Sequence, residues 1–277
     1  MLGVDVLESW FEKRYLKPSD HPLERMAMNS FIGWIGGKRA LRKQILDLFP
    51  EQIGRYIEVF GGAGWVLFAK EKKPDQLEVF NDMDGELVNL YRCVKYHCTA
   101  LQEELGWLLS SREQFFIYKT QIQQQGLTDI QRAARYYYLI KISFGSDRRT
   151  FATSSKSLDN GILYLSEIRD RLSGVVIERK DFEDLIRVYD RKNALFYLDP
   201  PYKGTERYYN AKFSMEDHLR LKKVLHGLQG KFILSYNNDP FIHDLYKEFQ
   251  IREVDRRNSL PASSNDEPYR ELIITNF

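Results

Sequence analysis

The 277-residue chain carries 41 Lys and Arg against 39 Asp and Glu, a net charge of +2 at pH 7, and is 43% hydrophobic with 17 Tyr and 17 Phe. That apolar and aromatic content excludes a disordered chain, and the near balance of charge excludes a uniformly basic nucleic-acid coat, so any contact with an acidic partner must come from local clustering. Two cysteines, Cys93 and Cys98, with His97 alone beside them, are too few for a disulfide framework or a four-ligand zinc site. With no leader-like N-terminus and no apolar run of about 18 residues, a metal-free, membrane-free cytoplasmic protein is expected, with one α/β core and an inserted lobe.

Residues 1–30 read as an N-terminal extension. Leu2, Val6, Trp10, Tyr15 and Leu16 fall near helical spacing before Lys17-Pro18 breaks the pattern. The first informative stretch is Phe31-Ile32-Gly33-Trp34-Ile35-Gly36-Gly37-Lys38, ahead of a helical pattern through Leu41, Ile45 and Leu48. Paired glycines before a helix expose backbone N–H groups, Lys38 adds a full charge, and Trp34 offers a face for a base; a plain loop-to-helix turn has the same look. Tyr56-Ile57-Glu58-Val59-Phe60-Gly61-Gly62-Ala63-Gly64 then reads as a strand and a glycine turn, with a helix starting at Trp65. The turn is neither GxGxxG nor a Walker loop, and it suits an adenosyl group better than a triphosphate. Leu77–Asp82 reads as the second strand. Its terminal Asp82, 18 residues after Gly64, stands where an acid holds a ribose diol.

From Gly85 to about Ser146 helical periodicity dominates, which predicts a separate helical insertion. Between Gln131 and Ser157 lie Arg132, Arg135, Lys141, Arg148, Arg149 and Lys156 against one acid, Asp147, with Tyr136-Tyr137-Tyr138, Phe144 and Phe151 interleaved. Clustered cations among aromatics fit contact with a phosphate backbone; core aromatics under a solvated helix face give the same pattern. The α/β rhythm resumes with the strand Val175–Glu178 leading to Asp181-Phe182. The run Leu195-Phe196-Tyr197-Leu198 ends abruptly at Asp199-Pro200-Pro201-Tyr202, a buried parallel strand capped by a rigid loop. At that end Asp199 offers a carboxylate acceptor, Pro200 a fixed carbonyl and Tyr202 a flat face, a cradle for the exocyclic amine of a planar base. Ser214–Asp217 is a capping box that opens a further helix. Strands at 231–235, 250–254 and 271–276 close the chain, the last two separated by a long polar excursion.

In this order, over about residues 31–277, the motifs resemble those of the Dam-type, alpha-group DNA adenine methyltransferases of bacteria and phages. The resemblance implies a Rossmann-like S-adenosylmethionine-dependent methyltransferase sheet over 31–92 and 175–277, with a mainly helical target-recognition lobe at 93–174. It implies methyl transfer to the 6-amino group of a flipped adenine in duplex DNA. By position it assigns catalysis to Asp199, Pro200 and Tyr202. The methyl donor falls to Trp34, Lys38, Phe60, Gly61, Gly62, Gly64, Asp82, Asp181, Phe182 and Asp199. The basic stretch makes Arg148, Arg149 and Lys156 candidates for DNA contact. Two departures, Gly33 in place of a basic residue and the short segment Ser143–Lys156, point away from GATC as the sequence read. The cradle's chemistry by itself also admits an RNA adenine or a glutamine amide as acceptor, or a non-catalytic nucleotide-binding relative.

Overall fold

The computed structural model describes residues 28–122, 124–152, 158–203, 213–256 and 269–277. The N-terminal pattern through Leu16, the candidate Lys156, most of the loop after Tyr202 and the polar excursion before the last strand lie outside the described residues. The strands are β1 (Arg55–Glu58), β2 (Leu77–Asn81), β3 (Val176–Glu178), β4 (Ala194–Leu198), β5 (Lys231–Asn237), β6 (Gln250–Arg256) and β7 (Tyr269–Thr275). They form one sheet in the order β3-β2-β1-β4-β5-β7-β6, parallel except for β7, which runs antiparallel between β5 and β6. This is the α/β, Rossmann-like arrangement expected.

Each strand alternates its side chains between two cores, as a period of two requires. On one face Ile57, Phe196, Phe232, Leu234 and Ile274 pack against α8 (Phe182–Tyr189), α9 (Met215–His226) and α10 (Pro240–Leu245). On the other face Tyr56, Leu195, Tyr197, Ile233 and Ile273 pack with the short α1 (Arg42–Leu46) and α2 (Trp65–Ala69) and with the helical segment α3 (Gly85–Tyr96), α4 (Cys98–Gly106), α5 (Arg112–Gln121), α6 (Asp129–Ile142) and α7 (Asp159–Leu172). The inserted helices therefore share a continuous core with the sheet. Tyr137 and Phe115 of those helices and Tyr56 and Phe80 of the strands belong to the same buried cluster.

α6 begins with a capping box, Thr128 accepting from the Gln131 amide and Gln131 returning the bond. It buries Tyr136, Tyr137 and Tyr138, so the tyrosine triplet is core material and not a base-stacking platform. Its cations are also turned to internal partners: Arg132 pairs with Glu86, Arg135 bonds Gln121, and Lys141 lies over the Tyr137 ring. A helix packed against α3, α4 and α5 has little surface left for a phosphate backbone.

The order of the sheet turns back on itself between β1 and β4. β1 leads outward to β2 and β3, and β4 leads to β5. The loops leaving the carboxyl ends of β1 and β4 thus splay apart and open a crevice, the usual ligand position in such sheets.

Candidate functional site

The glycine turn after β1 is built by backbone bonds. Val59 N–H donates to the Tyr197 carbonyl (3.0 Å), Gly61 N–H to the Asn81 carbonyl (2.7 Å) and Gly64 N–H to the Gly61 carbonyl (2.8 Å). Gly61 passes so close to β2 that a Cβ there would stand 2.2 Å from the Phe80 ring. Gly62 has φ of +50°, and a Cβ on it would meet the Trp34 ring at 3.0 Å, so Trp34 is brought over the turn from the preceding loop. Asp82, just past β2, accepts from the Gly62 amide (2.9 Å) with one oxygen and from the Asp84 amide (2.8 Å) with the other. Burial pushes its pKa up to about 6 in spite of these bonds.

At the end of β4 the Asp199 carboxylate meets the Lys38 ammonium at 2.7 Å and accepts from the Ser235 hydroxyl at 2.9 Å. Burial raises its pKa against the pull of Lys38. Lys38 is itself buried, bonds the Gly36 carbonyl at 2.9 Å, lies 3.6 Å from Glu271 and stands 4.7 Å from the centre of the Tyr202 ring. The full charge that Lys38 adds at the Gly36-Gly37 turn is therefore not presented to an outside anion, because the lysine faces inward onto two carboxylates. Tyr202 is also buried, its hydroxyl donating to Glu271 at 2.8 Å and its ring stacked with Tyr236 at 5.5 Å between centroids; Pro200 is buried between Asp199 and Pro201.

A cavity of about 300 Å³ runs from the glycine turn to Asp199 and Lys38, while Pro200, Tyr202 and Glu271 lie behind its wall. Its walls include all ten donor candidates: Trp34, Lys38, Phe60, Gly61, Gly62, Gly64, Asp82, Asp181, Phe182 and Asp199. At one end Phe60, Phe182 and Phe213 stand 5.7–5.8 Å apart between ring centres. Beside them Asp181 caps α8 by accepting from the Glu183 amide (3.0 Å) and pairs with Arg220 (2.8 Å). Pro201 lines the cavity next to Asp199.

The wall also holds residues that motif reading passed over. Glu58 lines the cavity from the last position of β1, its oxygen accepting from the Tyr56 hydroxyl (2.8 Å) and the Leu67 amide (2.9 Å). Burial, with Asp199 adding repulsion, pushes its pKa up to about 8. Glu271, fully buried on β7, ties Tyr202 in place from behind. Each is a lone acid within an apolar strand, Ile57-Glu58-Val59 and Glu271-Leu272-Ile273, and that was the available signal.

The DNA candidates separate. The segment Ser143–Phe151 doubles back on itself through a bridge between those two residues, with the Phe144 amide donating to the Thr150 carbonyl at 2.8 Å. On it Phe144 is 64% exposed and Arg149 is exposed, whereas Arg148 folds inward and lines the cavity. Gly33 lies against this loop so closely that a Cβ would stand 2.2 Å from Ser146 Oγ, so any side chain at position 33 requires that hydroxyl to turn aside. Both cysteines are free and buried, and burial pushes the Cys93 thiol up to about 11 and raises Cys98, so neither is a ready nucleophile.

Chemically the cavity can take a flat heterocycle among three phenyl rings, a diol or cation near Asp82, and a hydrogen-bond donor at Asp199. Comparison with known proteins points the same way. The model of the D12 class N6 adenine-specific DNA methyltransferase family matches residues 34–260. The type II methyltransferase M1.LlaDCHI of Lactococcus lactis subsp. cremoris is 27% identical over 91% of this chain and 97% of its own length. The type II methyltransferase M.MjaIII of Methanocaldococcus jannaschii is 28% identical over 91% of this chain and 100% of its own. A DNA adenine methylase of Haemophilus influenzae is 21% identical over 95% of this chain and 96% of its own.

Proposed function

Because the chain belongs to the D12 class of N6 adenine-specific DNA methyltransferases, we propose that its methyl donor is S-adenosylmethionine and that its acceptor is an adenine flipped out of duplex DNA into the mouth of this cavity. The observation that carries the reading is that the Asp199 end of β4 and the glycine turn after β1 open into one cavity. The walls fit the donor. Phe60, Phe182 and Phe213 suit its purine, Asp82 its ribose diol, and the Gly61-Gly62 turn brings bare backbone to the cavity wall. When bound, the donor supplies an electrophilic methyl carried on sulfur.

The protein's own part is geometry and electrostatics. The adenine amino lone pair is delocalised into the ring and is a poor nucleophile. Asp199 and the Pro200 carbonyl accept its two N–H groups, which favours a pyramidal nitrogen with the lone pair directed at the methyl. Asp199 is ready for this role only once it shares or releases Lys38, and Glu271 at 3.6 Å is the second carboxylate within that lysine's reach. Tyr202, stacked on Tyr236 and covered by Lys38, meets the extruded base once Lys38 withdraws, and its ring then offsets part of the few kcal/mol that flipping costs. No covalent intermediate on the enzyme is required. The helical segment 93–174 serves as the recognition lobe, and Arg149 and Lys156 supply phosphate contacts. The relatives' type II naming supports methylation at a fixed short sequence.

Asp199→Ala tests the reading. Transfer of labelled methyl to duplex DNA should fall at least about a thousandfold, while binding of S-adenosylhomocysteine, followed by calorimetry, stays within a few-fold of wild type. Undiminished methylation by the variant rejects the assignment.

A further inference from the structure

The sequence groups Arg148 with Arg149 and Lys156 as cations for a phosphate backbone, and a phosphate contact stands in solvent. Arg148 does not: its side chain is 15% exposed. Its guanidinium carbon lies 4.8 Å from the centre of the Trp34 ring and 5.2 Å from that of Tyr136, and Nη1 meets Asp84 Oδ2 at 3.4 Å and bonds the Tyr136 hydroxyl. From Asp84 a chain of hydrogen bonds continues to the glycine turn, the Asp84 amide donating to Asp82 at 2.8 Å and Asp82 accepting from the Gly62 amide at 2.9 Å. Trp34, under the guanidinium, is the ring that Gly62 approaches. The backbone is bent to deliver the side chain: Arg148 has φ of +58°, a left-handed conformation that a non-glycine residue rarely adopts, and its amide donates to Ser143 Oγ at 3.0 Å.

We propose that Arg148 is a positioning residue of the methyl-donor site, contributed by the loop of the helical lobe, and that it does not contact DNA phosphate. It holds the Trp34 ring and the Asp82–Asp84 turn in the arrangement that receives the donor. The inference rests on the reading of the cavity as the donor site.

The test uses the full chain with Arg148→Gln, which removes the charge, and Arg148→Lys, which keeps the charge but loses the planar stack. S-adenosylhomocysteine is titrated by calorimetry in the absence of DNA, and duplex binding is measured over a range of salt. Both variants should weaken S-adenosylhomocysteine about tenfold, raise the donor KM with little change in kcat, and leave the slope of log K for DNA against log salt unaltered. Unchanged donor affinity with a slope reduced by about one in Arg148→Gln makes the residue a phosphate contact and overturns the proposal. A fall in melting temperature with donor affinity intact makes it merely structural and overturns it equally. Failure of the wild-type chain itself to bind S-adenosylhomocysteine would instead remove the donor reading on which the inference stands.

Discussion

At Glu58 a carboxylate is almost wholly removed from solvent at the cavity wall, and the cost of ionising it there is a property that can be measured. Its pKa in the folded protein, about 8, lies above the ordinary 4.5. The native state therefore keeps a proton that the unfolded chain gives up, and stability is full below about pH 4.5, then declines until pH passes about 8. Glu58→Gln, neutral throughout and able to accept the Tyr56 and Leu67 bonds through its amide oxygen, should melt with the wild type near pH 4 and several degrees above it at pH 8.5. A variant that melts lower at pH 8.5 would show that Glu58 is charged and stabilising. Tyr202 poses the complementary case. Tyr202→Phe keeps the ring but strips the buried Glu271 of a donor, an expected loss of about 1–3 kcal/mol in denaturant unfolding. Tyr202→Ala should in addition slow methylation by the worth of one base stack, about 1–3 kcal/mol. Asp199 and Tyr202 were legible in the sequence because four unusual residues stand together at a strand end. Glu271 was not, because its bond to Tyr202 spans 69 positions and depends on how β7 is registered against β5. The inward turn of Arg148 was hidden for a related reason: composition shows that a stretch is basic but not which cation turns inward.

The glycine turn is the element on which the proposed donor site depends most directly. Gly62→Ala would place a methyl 3.0 Å from the Trp34 ring on a residue already at positive φ. The variant should fold, because the turn's backbone bonds remain, but should bind S-adenosylhomocysteine at least about tenfold more weakly; equal affinity would place the ligand elsewhere. The strands and helices around this turn were readable from their patterns. β1, β2 and β4 are apolar runs ended by Gly or Asp, and α9 opens at the capping box seen in Ser214–Asp217. α6 shows where pattern reading reaches its limit. Its amphipathic spacing identifies a helix, yet a Tyr-Tyr-Tyr run flanked by Arg and Lys reads the same for a DNA-facing surface and for a core helix. Packing against α3, α4 and α5 decides for the core.

For the whole molecule, the helical segment and one face of the sheet share a hydrophobic cluster, from Phe115 and Tyr137 to Tyr56 and Phe80. Removing the helices would leave that face of the sheet bare, so recognition and catalysis are expected to unfold together. Heating should give one transition by far-UV circular dichroism and by tryptophan fluorescence, and two separated transitions would show that the lobe stands alone. The position of β7 carries a consequence for how the enzyme comes into being. It wedges between β5 and β6, although both precede it in the chain, and it delivers Glu271 to the site. A nascent chain stalled on the ribosome before residue 269 would hold the glycine turn and Asp199 but lack the acid that fastens Tyr202. The surroundings of Tyr202 are thus complete only once β7, the last strand made, has inserted between β5 and β6.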